Sequence, residues 1–285
     1  MPARSVKGEL LQFRSSDNIL LEGFLSGPKK NSTCIVYVHE WGGNFYHAPA
    51  IGLAEELSKR GLSIFTINTR GHDVVTDLTK GFGREKVRFR GGVEFERFED
   101  TILDLKGALD RLSRLGFKRF ILCGHSTGCQ KVTYYQYKEN DKRVVGLILI
   151  SAGDDYNQWK DYILGRKFDS TVKAAKKLVK SGHGYQLDFT NGDTPQRFIS
   201  VADLRNVEAR LFNYKGDMNE FSKIKIPILA MFGGDERFAE YHLRVMAEKT
   251  NSRLFEPHIV KGAAHRYYER ESKAAGIISN FVEKL

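Results

Sequence analysis

Cysteine is scarce: the 285-residue chain carries Cys34, Cys123 and Cys129 and no others. An odd number with no CxxC pair excludes a disulfide framework or a cysteine zinc site, and it points to a reducing compartment. Long apolar runs are also missing. No stretch approaches the roughly 18 consecutive apolar residues of a membrane span, and the opening "MPARSVKGELLQF" lacks the apolar core of a signal peptide. A cytoplasmic protein without a transmembrane segment is therefore expected. There is no internal repeat and no low-complexity tract.

Negative charge is the scarcer sign, with 35 Asp and Glu against 45 Lys and Arg for a formal net charge of +10. The excess forms no block. Modest concentrations at "KGFGREKVRFR" (80–90) and "KAAKKLVK" (173–180) are interrupted or flanked by acidic residues, the pattern of a solvated basic surface and not of a specific nucleic-acid site. Metal and phosphate signatures are missing as well. The histidines are scattered without an HExxH-type cluster, and "GFGREK" (81–86) lacks both the spacing and the Lys-Ser/Thr ending of a P-loop. The expectation is a protein without metal or cofactor.

What is present is a regular alternation. A chain 41% hydrophobic and 28% charged suits one large domain, with room for a smaller insertion. "NILLEGFLSG" (18–27) reads as an early hairpin strand. Continuous apolar runs follow at "TCIVYVH" (33–39), "LSIFTIN" (62–68), "RFILCG" (119–124), "VVGLILIS" (144–151), "IPILAMFG" (226–233) and "RLFEPHIV" (253–260). Such runs suit strands buried on both faces. Helical patterns separate them at about 48–60, 95–116, 127–139, 238–249 and 267–284; Ile102, Leu105, Leu109 and Leu112 lie on one helical face that closes on Gly116. Short right-handed connections would lay the strands in a mostly parallel central sheet with helices on both faces, an α/β architecture. Residues 152–222 break the alternation. They are richer in Asp, Asn, Gly and aromatics, with one helix at 169–181 and a weak strand "RFISV" (197–201). The expected division is a core of 1–151 and 223–285 with an inserted cap at 152–222.

One short stretch carries chemistry. Gly124-His125-Ser126-Thr127-Gly128 fits G-x-S-x-G between an apolar strand and a helix, where a strained turn exposes a serine hydroxyl and flanking side chains would collide with the backbone. Ser126 is thus a candidate nucleophile, the alternative being a small residue in a tight turn.

With these residues in place the sequence resembles the α/β-hydrolase superfamily over nearly its whole length, with 152–222 the least matched part. In that superfamily the chain order is Ser, acid, His. Asp235 in "MFGGDERF" follows the strand 226–233, and His265 in "VKGAAHRYY" follows the strand 253–260, so the resemblance implies a triad of Ser126, Asp235 and His265. His265 would take the serine proton and the acid would fix the imidazole tautomer. Rival acids are Glu236, adjacent to Asp235, and Asp154 and Asp155 after the strand 144–151.

The loop "HEWGGN" (39–44) resembles the superfamily's H-G-x-x-G signature. It implies an oxyanion hole from the backbone N–H groups of Trp41 and Thr127, with His39 supporting the loop. Glu40 departs from the pattern, because glycine is usual there and a carboxylate opposes an oxyanion. "NTRGHD" (68–73) resembles a further landmark in which Arg70 pairs with loop carboxylates; His72 is assigned a structural or pocket-lining role and His125 a packing or turn role. His39, Glu40, Tyr156 and Trp159 are candidate pocket residues, as are Tyr185, Phe189 and Tyr214, though aromatics in an insertion also pack its own small core. The implied activity is a serine hydrolase that cleaves a small-molecule carboxylic ester through an acyl-enzyme. Amide cleavage, acyl transfer and a non-catalytic ligand-binding member of the fold are the alternatives.

Overall fold

The apolar runs become strands of one sheet in the computed structural model, which describes residues 5–285. The strands are β1 Glu9–Arg14, β2 Ile19–Ser26, β3 Thr33–Val38, β4 Ile64–Ile67, β5 Thr76–Lys80, β6 Val87–Gly91, β7 Arg119–His125, β8 Val144–Ile150, β9 Ile228–Gly233 and β10 Phe255–Val260. The helices are α1 Ala50–Lys59, α2 Thr101–Arg114, α3 Thr127–Glu139, α4 Asp155–Asn157, α5 Phe168–Lys180, α6 Pro195–Ala202, α7 Val207–Leu211, α8 Asn219–Ser222, α9 Ala239–Lys249 and α10 Glu271–Val282. The strand order is β10-β9-β8-β7-β3-β4-β2-β5-β6, with β1 paired to β2. The pairings from β10 through β4 are all parallel, and those of β2 with β1, β4 and β5, and of β5 with β6, are antiparallel.

Alternate residues of the central strands enter two separate cores. Val36, Val38, Leu122, Leu147 and Leu149 join a cluster with Leu105, Leu109 and Leu112 of α2 and Val132 of α3. Their neighbours Ile35, Tyr37, Ile121, Ile148 and Ile150 pack instead with Leu53 and Leu57 of α1 and Ile278 and Phe281 of α10. A strand's side chains point alternately to opposite faces. Helices therefore cover both faces, which is why these strands read as unbroken apolar runs.

Some local expectations change, and β1, β5 and β6 have no counterpart among the expected strands. "RFISV" lies within helix α6, where Thr194 Oγ1 accepts from the Arg197 N–H and Pro195 occupies the first turn, a capped start that outweighs weak strand propensity. The basic stretch 80–90 contributes to the β5–β6 hairpin, whose residues Val87 to Arg90 are exposed; the alternation Val87-Arg88-Phe89-Arg90 is too short to stand out among the charges around it. Strand β1 escapes notice because only Leu11 and Phe13 of its six residues face the core, too few to make an apolar run. The pattern from 95 becomes an α-helix only at Thr101, after a 3-10 turn at Phe98–Asp100.

Residues 152–222 fold as helices: the 13-residue α5, the shorter α4, α6, α7 and α8, and a π-helical stretch at Gln158–Leu164. Trp159, Phe168, Ala175, Phe198, Val201 and Ala202 form a small cluster of their own, with Tyr156 and Phe189 packed against it. The later part is different: Leu211, Phe212, Tyr214 and Phe221 belong to the main core.

Candidate active site

The C-terminal ends of the parallel strands gather the chemistry-bearing residues, the usual place for a site in an open α/β sheet. Trp41 follows β3, Ser126 follows β7, Ser151 follows β8, Glu236 follows β9 and His265 follows β10. All five line one cavity of about 970 Å³.

Ser126 sits at φ 52° and ψ −121° between β7 and α3. Its N–H donates to the Ile150 carbonyl at 2.9 Å, and its carbonyl accepts from the Cys129 N–H at 2.9 Å, so the strained turn is held from both sides. A Cβ on Gly124 would lie 2.3 Å from the Gly128 carbonyl oxygen, and one on Gly128 2.3 Å from that of Val38. Those gaps are far below van der Waals contact, so only glycine fits at either position. Thr127 opens α3, where a first-turn N–H has no acceptor within the helix, and it lines the same cavity as Trp41.

The carboxylate facing His265 is Glu236 and not Asp235. His265 Nδ1 stands 2.9 Å from Glu236 Oε2, while the other oxygen, Oε1, accepts from the Ser151 hydroxyl at 2.5 Å and the Gly233 N–H at 2.7 Å. Asp235 is exposed, and its backbone N–H is spent on the Ala263 carbonyl at 3.0 Å. The Gly233-Gly234 turn brings residue 236, not 235, back over the strand end; one position of turn register separates two acidic neighbours. The rival Asp155 accepts from the Gln130 side chain at 2.9 Å and lines the same cavity without a hydrogen bond to His265.

Electrostatics follow from this arrangement. Burial alone would depress the His265 pKa, but its hydrogen bond to Glu236, the Glu236 charge and the nearby Glu40 outweigh burial and raise it. Burial would raise Glu236, yet the His265 and Ser151 hydrogen bonds hold it below the usual carboxylate value. His125 is fully buried; desolvation, with His265 adding, pushes it down to about 3, so its ring is neutral at any physiological pH. Glu40 is also buried, and desolvation raises its pKa against the pull of Arg266 and His265. The Arg266 Nε lies 3.3 Å from Glu40 Oε1.

The loop 39–44 is braced from behind. His39 Nδ1 faces the Glu40 carbonyl at 2.8 Å, while Nε2 accepts from the Thr69 N–H at 3.3 Å. Thr69 Oγ1 in turn accepts from Lys131 Nζ at 3.2 Å, and Lys131 pairs with the buried Glu96 at 2.8 Å. Arg70 binds Asp104 and Asp17, at 2.9 and 2.8 Å. Gly71 leaves the room that the Glu96 carboxylate fills, since a Cβ there would fall 2.0 Å from Glu96 Oε2. His72 is turned to the Thr69 carbonyl at 2.8 Å, away from the cavity.

Of the aromatic candidates, Trp159 lines the cavity. Tyr156 and Phe189 serve the small cluster, Tyr185 stacks on Phe95, and Tyr214 stacks on His242 within 3.9 Å between ring centres. His39 and Glu40 stand behind the lining, not in it. Ser151 had no distinguishing motif, its one signal being its place at the end of a central strand. Three metal-capable donors also meet here: Glu40, His125 and His265 offer ligand atoms within 4.8 Å of one another. Positions 40, 125 and 265 are too far apart in the chain for any spacing rule to link them.

A family model described as "Protein of unknown function (DUF1749)" matches residues 103–282. No curated protein matches the chain by sequence. Among solved structures, the Pyrococcus furiosus esterase Pf2001 is similar at 15% identity and TM-score 0.61, covering 98% of this chain and 91% of that one. Est1E from Butyrivibrio proteoclasticus, solved with ferulic acid bound, is similar at 18% identity and TM-score 0.67, covering 96% and 98%. The carboxylesterase CesB from Bacillus subtilis is similar at 17% identity and TM-score 0.57, covering 97% and 92%. At such identities the shared property is the fold. Among the described residues, no helix is long and apolar enough to cross a membrane.

Proposed function

From a chain that belongs to the DUF1749 family and, by its fold, to the α/β-hydrolase superfamily, we propose a serine hydrolase that cleaves a small-molecule carboxylic ester through an acyl-enzyme on Ser126. The observation that carries the reading is the Glu236-His265 pair at 2.9 Å, opening on the same cavity as a serine at positive φ. Because Nδ1 of His265 faces a carboxylate, it carries the ring proton, and Nε2 keeps a lone pair for the serine hydroxyl. The serine oxygen attacks the ester carbonyl as Nε2 takes its proton. The tetrahedral oxyanion is held by the backbone N–H groups of Thr127 and Trp41. Collapse expels the alcohol, which receives the proton from His265, and a water repeats the sequence to release the acid.

Glu236 fills the role first assigned to Asp235: it fixes the tautomer and stabilises the imidazolium formed in each half-reaction. The earlier part of 152–222 acts as a cap: Trp159, Asn191, Asp193 and Arg197 line the same cavity as Ser126, while Leu211, Phe212, Tyr214 and Phe221 of the later part belong to the main core. That several structurally similar proteins are esterases supports an ester over an amide. The test is intact mass after fluorophosphonate treatment. A single adduct is expected on the wild type and none on Ser126→Ala, and p-nitrophenyl esters of increasing chain length then size the acyl pocket. A folded wild type that takes no adduct would favour a ligand-binding protein instead.

A further inference from the structure

Three bare electron pairs converge beside Ser126. His125 Nε2 lies 2.8 Å from the His265 carbonyl oxygen; a carbonyl only accepts, so Nε2 carries the proton and Nδ1 of the neutral ring does not. That Nδ1 is fully buried and has no hydrogen-bond partner, yet it points at Glu40 Oε2 from 3.9 Å. His265 Nε2, bare for the reason given above, lies 4.0 Å from the same oxygen. A carboxylate and two imidazole lone pairs therefore face one another with no proton bonded between them.

We propose that Glu40 Oε2, His125 Nδ1 and His265 Nε2 form a binding site for a divalent transition-metal ion of the zinc type, and that the bound ion silences the catalytic base. Two imidazoles and one carboxylate are a donor set that zinc accepts with a fourth position open. Imidazole donors disfavour magnesium and calcium, which take oxygen ligands. Zinc bonds of about 2.0–2.2 Å place ligand atoms about 3.4 Å apart in a tetrahedron, so the present triangle closes by shifts on the order of one ångström. Glu40 and His265 sit on loops that can supply such shifts, and His125 ends a central strand and stays fixed. The supporting bonds already exist: His125 Nε2–H to a carbonyl and His265 Nδ1–H to the Glu236 carboxylate are the outer contacts that orient metal-bound imidazoles. Arg266, on the other oxygen of Glu40, opposes the ion's charge but aims Oε2 inward.

Metal binding stands apart from the proposed hydrolase activity; inhibition rests on that reading, because the ion would take the lone pair that must receive the Ser126 proton. The test begins with chelator-stripped protein, titrated with Zn²⁺ by calorimetry and with Co²⁺ by its visible d–d bands. One ion per chain is expected, with tetrahedral-type cobalt bands. Glu40→Gln and, independently, His125→Gln should each weaken binding by about tenfold or more, in line with the loss of a ligand or its orientation. Ser126→Ala should retain it, as should His258→Ala, which removes the separate, half-buried pair of His258 with Glu256 at 3.7 Å. Zinc should slow fluorophosphonate labelling of the wild type, and a chelator should restore it. The metal proposal is overturned if no ion binds, if both Glu40→Gln and His125→Gln bind as the wild type does, or if His258→Ala abolishes binding. Faster labelling with zinc would overturn the inhibitory role. Labelling without zinc binding sinks this inference and leaves the hydrolase standing, whereas zinc binding with no labelling after chelation does the reverse.

Discussion

Exchanging Glu236 for glutamine keeps its shape and changes its chemistry in a calculable way. The Gly233 N–H and the Ser151 hydroxyl both donate to Oε1, so the amide oxygen stays there and the new NH₂ faces His265 Nδ1. It donates to Nδ1 and forces the ring proton onto Nε2, the tautomer that cannot accept from Ser126. The imidazolium formed during attack also loses a carboxylate 2.9 Å away. At an effective dielectric constant of about 20 that attraction is about 6 kcal/mol, and doubling the constant for solvent access leaves about 3 kcal/mol. The doubling is warranted because the His265 side chain is 43% exposed. At 1.36 kcal/mol per tenfold, kcat/KM on a p-nitrophenyl ester should fall by about 10² to 10⁴. Asp235→Asn, at an exposed carboxylate that faces no ring, should stay within about threefold of wild type, the size of ordinary surface effects. Both variants should melt with the wild type. A loss in Asp235→Asn equal to or greater than that in Glu236→Gln would refute the assignment of the acid.

The acid limb of kcat/KM should lie above the ordinary histidine value, because protonated His265 accepts nothing from Ser126 and Glu236 raises its pKa; Glu236→Gln should move any residual limb to lower pH, and a limb that stays put would contradict the pairing. Lys131→Met leaves the buried Glu96 carboxylate without its cation, at a cost of about 3–5 kcal/mol. Its melting temperature should drop by about 10 °C, and adding Glu96→Leu should recover much of that; an unchanged Tm would show the pair to be inessential. Gly128→Ala drives a Cβ against the Val38 and His39 carbonyls, at 2.3 and 2.8 Å. It should cost about 1–3 kcal/mol and slow fluorophosphonate labelling, whereas wild-type labelling would mean the turn has slack.

Sequence made the interior of this molecule legible and its rims much less so. The central strands announce themselves because both faces are covered, so that every residue of "VVGLILI" meets a helix or a neighbouring strand. β1 and β6 do not, since each is short and has half or more of its residues exposed, so that neither forms a continuous apolar run. The serine turn was readable because both of its glycines fall within five consecutive residues between a strand and a helix, although the backbone that excludes a side chain at Gly128 is that of distant Val38. The choice between Asp235 and Glu236 depends on the turn after Gly233 and on Ser151, 85 positions upstream of the carboxylate that it supports. The meeting of Glu40 with His125 and His265 is set by three separate strand ends, and no local pattern encodes it.

The scarce cysteines acquire a use from where they lie. Cys34, Cys123 and Cys129 are all buried, and desolvation raises the pKa of each thiol, so none offers a thiolate to a reagent while the fold is intact. Cys123 and Cys129 bracket the serine turn within the strand and helix that carry it. Alkylation by iodoacetamide then becomes a clock for global opening, whose rate counts unfolding events around the very turn that a fluorophosphonate reports in its folded form. Two electrophiles, one for oxygen and one for sulfur, would sort the folded and unfolded populations of a single sample without a denaturant.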